Sequence, residues 1–559
     1  MKRKLISLLL AMTMALSLVA CSVPSGDGST PADGGKTHLT IGIPMSPNCT
    51  DVVDNWFTNY LEEKLDVELE FVTFSANNTE RAQQLATMVA AGETLPDILL
   101  RWVNLDQTLI NTYGDDGYFV DLAPYFDDPD WELAKEYRWH ERALEQVGES
   151  GYDMLLNANR TADGNLYGWP SGGTRAPSDT IVNHVYINQT WLDNLGLEMP
   201  RTWEELTNVL IAFRDQDPNC NGKKDEIPML GCANTSAVYA ADIPSWLLNN
   251  FEYVSDVYFF DVGEDGKLYV PYTTDAYRDG LRALNKLAEE GLISELTWTI
   301  SNRTEMPGIW TPINNEAIVG VISAYAPQHT TEGSPLVLDY VPLPPLEGSY
   351  VPIRPVTATG NTFITTDCKD LEGAMRFLLA VNDVEIHRAN QFGEEGVDWE
   401  PVIDETGVER VRVINDVFNK PNNKTWCWAT PAIGFPEETN PYREYVPPVD
   451  YDALDDAGKI EYWRNSMLDM MVEANFPDIA NNPDPLFFTA IYTAEEIEEN
   501  GTLLADIKTY MKQQRGLFIT GQLDIDDDAV WQNYVDTLEE QGLSTVLKNA
   551  QTAWERQNG

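Results

Sequence analysis

Oxygen-bearing side chains are concentrated in one short stretch, DPNCNGKKDEIP, at residues 217–228. Calcium binds about six to eight oxygen atoms, and an EF-hand loop supplies them from positions 1, 3, 5, 7 and 9, with glycine at position 6. Gly222 stands at position 6 here. The ligand positions are occupied by Asp217, Asn219, Asn221, Lys223 and Asp225. This spacing indicates a calcium site, with a solvated turn of Asx-type hydrogen bonds as the alternative.

The stretch departs from an EF-hand at its end, where Pro228 stands at position 12 in place of glutamate. Glu226, at position 10, would have to supply the last carboxylate, and Lys223 could offer only its backbone carbonyl. The exit IPML is typical of a strand. We therefore predict a structural Ca²⁺ site that joins a helix end to a strand and lacks the opening motion of an EF-hand.

Enzyme motifs are missing from the sequence. The five histidines have no metal-ligand spacing, and neither a G-x-S-x-G motif nor a P-loop occurs. The absence of these motifs does not by itself exclude catalysis. A glycosidase needs only two well-placed carboxylates, and 89 acidic residues make any single pair uninformative. A secreted carbohydrate-active enzyme thus remains an alternative.

The N-terminus has the pattern of an export signal, with three basic residues, an uncharged run from Leu5 to Val19, and Ala20-Cys21. Leu18-Val19-Ala20-Cys21 resembles the bacterial lipobox, in which the cysteine becomes the lipidated first residue of the mature chain. We predict a lipoprotein signal peptide over 1–20, palmitate-type lipidation at Cys21 and a flexible tether over 21–36. The protein would then be membrane-anchored on the extracellular face of the cell membrane. An ordinary secretory signal is the alternative.

The charge balance restricts the partners. The formal net charge of −52 opposes binding to nucleic acid and to anionic lipid headgroups, so the lipid chain would be the sole membrane contact. The cysteines show no C-x-x-C spacing. Cys220 and Cys232 could pair, but two free buried thiols are an equal alternative.

The chain length and the order of its elements indicate two lobes of α/β type. A chain of 559 residues exceeds the roughly 250 to 300 residues that one hydrophobic core spans. Strand-like runs at His38–Met45, Val67–Phe74 and Leu95–Trp102 alternate with helical runs, as in a largely parallel sheet. A second block follows, with a helix that Thr202 and Glu205 would begin as a capping box.

Several stretches, taken in order, resemble the extracellular solute-binding proteins of ABC importers, family 1. They are PDILLRW (96–102), DGNLYGWP (163–170), YINQTWLDNLGLEMPRTWEELTNVLIAF (186–213), FGEEGVDWE (392–400) and LFITGQLDIDDDAVWQNYVDTLEEQGL (517–543). The loop D-P-N-x-N-G-K-x-D-E-I-P resembles that of the large subgroup related to alginate-oligosaccharide-binding proteins, in which it holds calcium. The resemblance covers nearly the whole mature chain.

What the resemblance implies is a two-lobed, periplasmic-binding-protein-like fold with a ligand cleft between the lobes. The N-terminal lobe would comprise 37–180 and 358–400, and the C-terminal lobe 181–357 and 401–559. The chain would cross between them near 178–185, 355–361 and 396–411. It would act as a monomer, capturing a carbohydrate, in particular an oligosaccharide, and delivering it to the permease subunits in the membrane. Because the ordered stretches resemble those of a binding protein, we predict that the chain is not an enzyme.

The residues that would contact the ligand follow strands at the cleft or lie in aromatic turns. Aromatic rings stack on the apolar faces of sugars, while amides, carboxylates and arginine bind the hydroxyl groups. The predicted set is Arg101, Trp102, Asn104, Trp169, Trp310, Tyr325, Glu395, Trp399, Trp426 and Trp428. Because such clefts serve other solutes too, a peptide binder or a surface sensor of the same fold remains an alternative.

Overall fold

The computed structural model describes most of the chain after residue 35. The described residues are 36–46, 48–101, 105, 107–157, 160–174, 181–232, 242–255, 259–300, 317–323, 335–353, 356–404, 407–418, 421–427, 445, 450–483, 486–487 and 492–558. Cys21 and the predicted signal and tether lie outside these residues.

The strands of the described residues form two four-stranded sheets and three smaller pairs. They are β1 (Thr37–Pro44), β2 (Val67–Phe74), β3 (Ile98–Leu99), β4 (Ser171–Thr174), β5 (Val185–Asn188), β6 (Ile227–Leu230), β7 (Asp261–Val262), β8 (Leu268–Tyr269), β9 (Val319–Ser323), β10 (Tyr340–Pro342), β11 (Val356–Thr359), β12 (Phe363–Ile364), β13 (Trp399–Ile403) and β14 (Glu409–Val413).

Helices account for most of the remaining regular structure. They are α1 (Trp56–Leu65), α2 (Asn78–Ala91), α3 (Gln107–Asp115), α4 (Ala123–Phe126), α5 (Glu132–Glu136), α6 (Trp139–Asn157), α7 (Gln189–Leu195), α8 (Trp203–Asp215), α9 (Ile243–Leu248), α10 (Asp275–Glu289), α11 (Leu296–Thr299), α12 (Leu371–Val381), α13 (Val384–Phe392), α14 (Asp456–Asn475), α15 (Ala494–Asn500), α16 (Leu503–Ile519), α17 (Asp528–Glu540) and α18 (Leu543–Asn558). None of the helices in this part of the chain combines the length and the apolar character needed to cross a bilayer.

The first lobe is built on the sheet with strand order β12-β3-β1-β2. Strand β1 runs parallel to both β2 and β3, and β12 joins the edge antiparallel to β3. Apolar residues of β1 pack with α1 and α12 in one core, which includes Leu39, Phe57 and Leu378. The predicted alternation of strands and helices is therefore confirmed in this lobe.

The second lobe is built on the sheet with strand order β10-β5-β9-β6. Strands β6 and β9 run parallel, whereas β5 is antiparallel to both β9 and β10. Helix α8 packs on this sheet and begins with the predicted capping box, in which the Thr202 side chain accepts from Glu205 N–H and the Glu205 side chain accepts from Thr202 N–H. The C-terminal helices α16 to α18 complete the largest core of the described residues.

Two chain segments pair side by side between the two sheets, and we propose that they are the first two crossings between the lobes. Strands β4 and β11 pair antiparallel, and the pairing continues as Trp169 N–H donates to the Thr362 carbonyl at 2.7 Å and Val182 N–H to the Pro352 carbonyl at 3.0 Å. Gly168 lies so close to Gly360 that an added Cβ would meet the Gly360 carbonyl oxygen at 2.3 Å. Two adjacent crossings of this kind form a short connection about which two lobes can rotate.

The segment after α13 still packs on the first lobe beyond residues 396–411, where the third crossing is predicted. Hairpin β13–β14 packs on α13 through Trp399 and Phe392, and Trp426 lies in the first-lobe core. Helix α14 then packs on the second sheet, where Trp463 donates from Nε1 to the Tyr340 carbonyl at 2.9 Å. Tyr445 N–H still donates to the Val411 carbonyl of β14 at 2.7 Å. We therefore propose that the third crossing follows Tyr445, beyond the predicted boundary at residues 400 and 401.

Asp261 gives the second lobe a pH-dependent contribution to stability. Its side chain is 1% exposed, and burial raises its pKa from 3.8 to about 6, with Glu252 adding to the shift. Between these values the folded protein binds more protons than the unfolded chain, so this carboxyl group makes stability fall as pH rises from about 4 to 6. We expect Asp261→Asn to gain stability relative to the wild type over that interval.

Urea unfolding of the wild type and of Asp261→Asn at pH 4.5 and pH 7 measures this difference. Asp265→Asn, which changes an exposed carboxylate in the turn of the same hairpin, serves as the control. A difference between wild type and Asp261→Asn that is equal at the two pH values would show that Asp261 does not titrate as described.

Candidate functional site

The candidate ligand site lies where the parallel strands of the two sheets end. In open α/β sheets, ligands bind outside the carboxyl ends of the strands. Strand β3 is followed at that edge by Arg101, and β6 and β9 end at Leu230 and Ser323 in the second lobe. Five predicted ligand residues lie outside the described residues: Trp102, Asn104, Trp310, Tyr325 and Trp428.

Arg101 is held in an unusual backbone conformation at the end of β3. Its φ is +54°, in the left-handed region, and its N–H donates to the Thr362 hydroxyl at 3.1 Å. Burial lowers the pKa of the guanidinium, because the protein removes it from water. A desolvated cation and a left-handed non-glycine residue are both uncommon in cores and recur at functional sites.

His387 on α13 lies within electrostatic reach of Arg101. Burial and the positive charge of Arg101 together lower the pKa of His387 to about 4. The imidazole is therefore neutral at pH 7, and the guanidinium is the charged group of the pair. Sequence reasoning missed His387, because no local motif links α13 to the end of β3.

Three of the predicted tryptophans lie inside the first lobe. Trp169 is 0% exposed with its ring 5.1 Å from Phe126, and Trp426 donates from Nε1 to the Thr58 hydroxyl at 2.8 Å. Trp399 donates from Nε1 to the Gly393 carbonyl at 3.0 Å. Each ring is enclosed by protein in this conformation, so a stacked ligand would require the ring to move. Their role in ligand binding stays a prediction.

Glu395 lies on an exposed turn between α13 and the hairpin. It forms an isolated bridge with Trp399, so its position depends on the hairpin. The neighbouring Asp398 is 1% exposed, accepts from Glu394 N–H at 3.0 Å and pairs with Lys424 at 2.6 Å. Among the predicted ligand residues that the structure describes, Arg101 is partly exposed and Glu395 is exposed, whereas the three tryptophans are buried.

The candidate calcium loop connects α8 to β6, as predicted. Asp217 accepts from the N–H groups of Asn221 and Gly222 at 3.0 Å each, and the Asn221 side-chain oxygen accepts from Lys223 N–H at 2.8 Å. Gly222 has a φ of +74° and Cys220 one of +55°, so the loop turns sharply at both residues. Asn219 points its amide to the Ala317 carbonyl at 3.2 Å, which ties the loop to the residues before β9.

The side chain of Glu226 indicates that the loop could hold a metal ion. Its Oε1 is buried and accepts no hydrogen bond from the described residues. Burial raises the pKa of Glu226, and the charges of Asp225 and Asp217 raise it further. A bound cation would neutralise the negative charge of this carboxylate, and the oxygen atoms of the loop are the ligand type that Ca²⁺ prefers. Within the described ranges, however, no three His, Cys, Asp or Glu side chains already converge as a metal cluster.

The sequence left open whether Cys220 and Cys232 form a disulfide. In this structure they are separate thiols. Cys220 is exposed in the loop. Cys232 is fully buried after β6, where its S–H group donates to the Ile300 carbonyl at 3.3 Å.

Solved structures of two-lobed solute-binding proteins share this fold, in which two sheets are joined by paired chain segments. An HMO-binding, ABC-transporter-associated solute-binding protein from Bifidobacterium longum infantis is 20% identical, with a TM-score of 0.72 over 94% of this chain and 99% of that one. The alginate-binding protein AlgQ2, solved without calcium ion, is 20% identical, with a TM-score of 0.58 over 94% and 99%.

The sequence of this chain is also similar to that of a curated ABC transporter protein. The chain is 25% identical, over 91% of its length, to the fructooligosaccharide ABC transporter substrate-binding protein FusA of Streptococcus pneumoniae, and covers 88% of that protein. An EF-hand mutant of FusA, solved in complex with fructo-nystose, is 21% identical, with a TM-score of 0.64 over 93% and 99%. No protein-family model matches the chain. The predicted resemblance to ABC-importer solute-binding proteins is confirmed by these relatives.

Proposed function

We propose that this chain is the substrate-binding component of a bacterial ABC importer and that it captures an extracellular oligosaccharide between its lobes. The chain-long similarity to FusA carries the proposal, because FusA is named for fructooligosaccharides and shares nearly the whole length. Fold alone would not decide function, since one fold hosts many activities.

Arg101 is the described residue best placed to bind the sugar. A guanidinium presents five N–H donors in a fixed plane, which suits the vicinal hydroxyls or a carboxylate of a sugar ring. The remaining predicted contacts are Trp102, Asn104, Trp169, Trp310, Tyr325, Glu395, Trp399, Trp426 and Trp428. We propose that those among them that line the cleft provide the stacking surface and the hydroxyl partners.

Capture would proceed by closure about the paired crossings. A ligand that contacts both lobes stabilises the closed form and shifts the population towards it. The closed monomer would then dock on the permease, while lipid at Cys21 holds it at the extracellular face of the membrane. We propose that no reaction takes place on this chain, so the sugar would leave unchanged.

A thermal-shift screen of the mature protein against oligosaccharides and peptides tests the substrate class. Binding to the folded state alone raises stability with ligand concentration over dissociation constant. We expect at least one oligosaccharide to raise the melting temperature in a concentration-dependent manner. A panel in which peptides do so and carbohydrates do not would overturn the carbohydrate proposal.

We propose that Ca²⁺ binds the loop at residues 217–226 as a structural ion, held by Asp217, Asn219, Asn221, Asp225, Glu226 and the Lys223 carbonyl. The ion would neutralise the loop carboxylates and so fasten α8 to β6. The buried Oε1 of Glu226 supports this proposal.

Chelation is therefore expected to lower the melting temperature. Calcium at a hundredfold excess over its dissociation constant would contribute about 2.7 kcal/mol. Asp217→Ala should abolish the response to chelator, and Asp116→Ala, which changes an exposed carboxylate of the first lobe, should retain it. Identical melting curves with calcium and with chelator would refute the calcium proposal and leave the carbohydrate proposal untouched.

A further inference from the structure

Two consecutive asparagines hold one side of the second crossing segment, just before it reaches β11. Val351 N–H donates to the Asn482 side-chain oxygen at 2.8 Å, and the Asn482 amide nitrogen donates to the Val351 carbonyl at 2.6 Å. The Asn481 amide nitrogen donates to the Ser349 carbonyl at 3.0 Å. We refer to these two side chains as the asparagine clamp.

The clamp takes the place of a neighbouring strand. In an antiparallel pair, residues opposite each other exchange both backbone hydrogen bonds at every second position. The clamp exchanges the same two bonds with Val351. On the other side of the segment, Tyr350 N–H donates to the Asn249 carbonyl at 2.9 Å, and the Pro352 carbonyl accepts from Val182 N–H. The second crossing is therefore bonded on both sides, as a central strand is.

Both asparagines belong to the second lobe. They stand at the end of the 3₁₀ turn Phe476–Asn481, which follows α14 directly. Helix α14 packs on the second sheet, and Asp478 in the turn lies 3.5 Å from the Arg201 guanidinium just before α8. The clamp therefore joins the chain that follows the proposed third crossing to the segment that forms the second.

We propose that Asn482 is a positioning residue for ligand capture, because it fixes the second-lobe end of the second crossing and so sets the axis about which the lobes close. The inference rests on the proposed capture by lobe closure. With residues 349–351 held to the second lobe, rotation takes place on the first-lobe side of Val351. Each closure then brings the same two walls of the cleft together.

Loss of the clamp would free this end of the crossing. Val351 is 3% exposed, so removing the Asn482 amide leaves a buried N–H and a buried carbonyl without these partners. Water would reach them only if residues 349–351 left their place, and the axis of closure would then vary. A smaller fraction of molecules would have the binding-competent geometry, and the apparent dissociation constant rises as the reciprocal of that fraction.

The distribution of interlobe distances in the ligand-free protein tests the proposal. Spin labels on Glu93→Cys in the first lobe and Glu264→Cys in the second report this distance by pulsed electron paramagnetic resonance, with Cys220 and Cys368 replaced by serine. We expect Asn482→Ala to broaden the distribution relative to the wild type. The measurement needs no ligand, so its result does not depend on whether the protein binds an oligosaccharide.

Two further variants separate the clamp from general stability. Asn481→Ala loses only the bond to Ser349 and should broaden the distribution less than Asn482→Ala does. Asn285→Ala is the matched control, because the Asn285 side chain also donates to two backbone carbonyls of the second lobe, at 3.3 Å each, but does so between α10 and α16. It should keep the wild-type distribution even if its melting temperature falls.

Affinity for the ligand found in the thermal screen, of whatever class, provides a second readout. Asn482→Ala should bind it about three- to thirtyfold more weakly, as expected when the competent fraction falls by that factor. A folded Asn482→Ala with the wild-type distance distribution or the wild-type affinity would overturn the proposal. If Asn482→Ala does not fold, a broadened distribution in Asn481→Ala would support the proposal, and a wild-type distribution in that variant would overturn it.

Discussion

Replacing Arg515 by methionine is expected to lower the free energy of unfolding by about 3 to 5 kcal/mol, the usual loss when one partner of a buried ion pair is removed. Arg515 on α16 is 2% exposed. Its Nη2 lies 2.7 Å from Asp242 Oδ2, and its Nη1 donates to the Ser245 hydroxyl at 2.9 Å. Asp242 is also the N-cap of α9, accepting from Ser245 N–H at 3.3 Å. Methionine would fill much of the volume but leave the Asp242 charge without its cation.

Denaturant unfolding measures this loss, and an exposed pair provides the control. Arg138 pairs with Glu141 at 2.6 Å on the surface, where such pairs contribute about 0 to 1 kcal/mol. Arg138→Met should therefore change stability little. A second variant, Arg515→Met with Asp242→Asn, should recover part of the loss, because the orphaned charge is gone. A loss below about 1 kcal/mol for Arg515→Met would refute the account of this ion pair.

Replacing Arg101 by alanine is expected to weaken oligosaccharide binding by about 10- to 150-fold. Hydrogen bonds to a charged group contribute about 1.5 to 3 kcal/mol each, and 1.4 kcal/mol corresponds to a factor of ten. Arg101 is already desolvated before the ligand arrives, so little further cost of removing its charge from water would offset these bonds. The affinity of Arg101→Lys should lie between those of the wild type and Arg101→Ala, because lysine keeps the charge but lacks the planar fork.

Calorimetric titration with the oligosaccharide found in the thermal screen measures these affinities. Arg160→Ala is the matched control, because it removes a guanidinium of the same lobe that stands outside the predicted ligand set and pairs with Asp127. The ligand-free melting temperature of each variant shows whether a loss of affinity comes from unfolding. Wild-type affinity in a folded Arg101→Ala would remove Arg101 from the site.

Patterns among neighbouring residues predicted many of the helices and strands. The capping box of Thr202 and Glu205 and the strands β1 and β2 depend on neighbouring residues, and all are found where the sequence indicates. Local sequence does not decide the cap of α2, because Asn77, Asn78 and Thr79 are all residue types that cap helices. In the structure the Asn77 side chain accepts from the N–H groups of Thr79 and Glu80.

Long-range contacts could not be predicted from local pattern. Trp169 and Trp426 stand in motifs that resemble ligand-binding turns, yet both rings pack in the first-lobe core. The electrostatic interaction of His387 with Arg101, and the backbone pairing of Cys49 with Asn422, join positions hundreds of residues apart. Only the tertiary fold brings these side chains together, and no spacing in the sequence encodes it.

The central claim is that this chain binds an oligosaccharide between its lobes and releases it unchanged. The most direct test is equilibrium titration of the mature, calcium-loaded protein with a panel of oligosaccharides that includes fructooligosaccharides, followed by mass spectrometry of the recovered sugar. We predict saturable binding of at least one oligosaccharide at one site per chain, with the recovered sugar intact. Failure of every oligosaccharide to bind, or recovery of a cleaved product, would contradict the account.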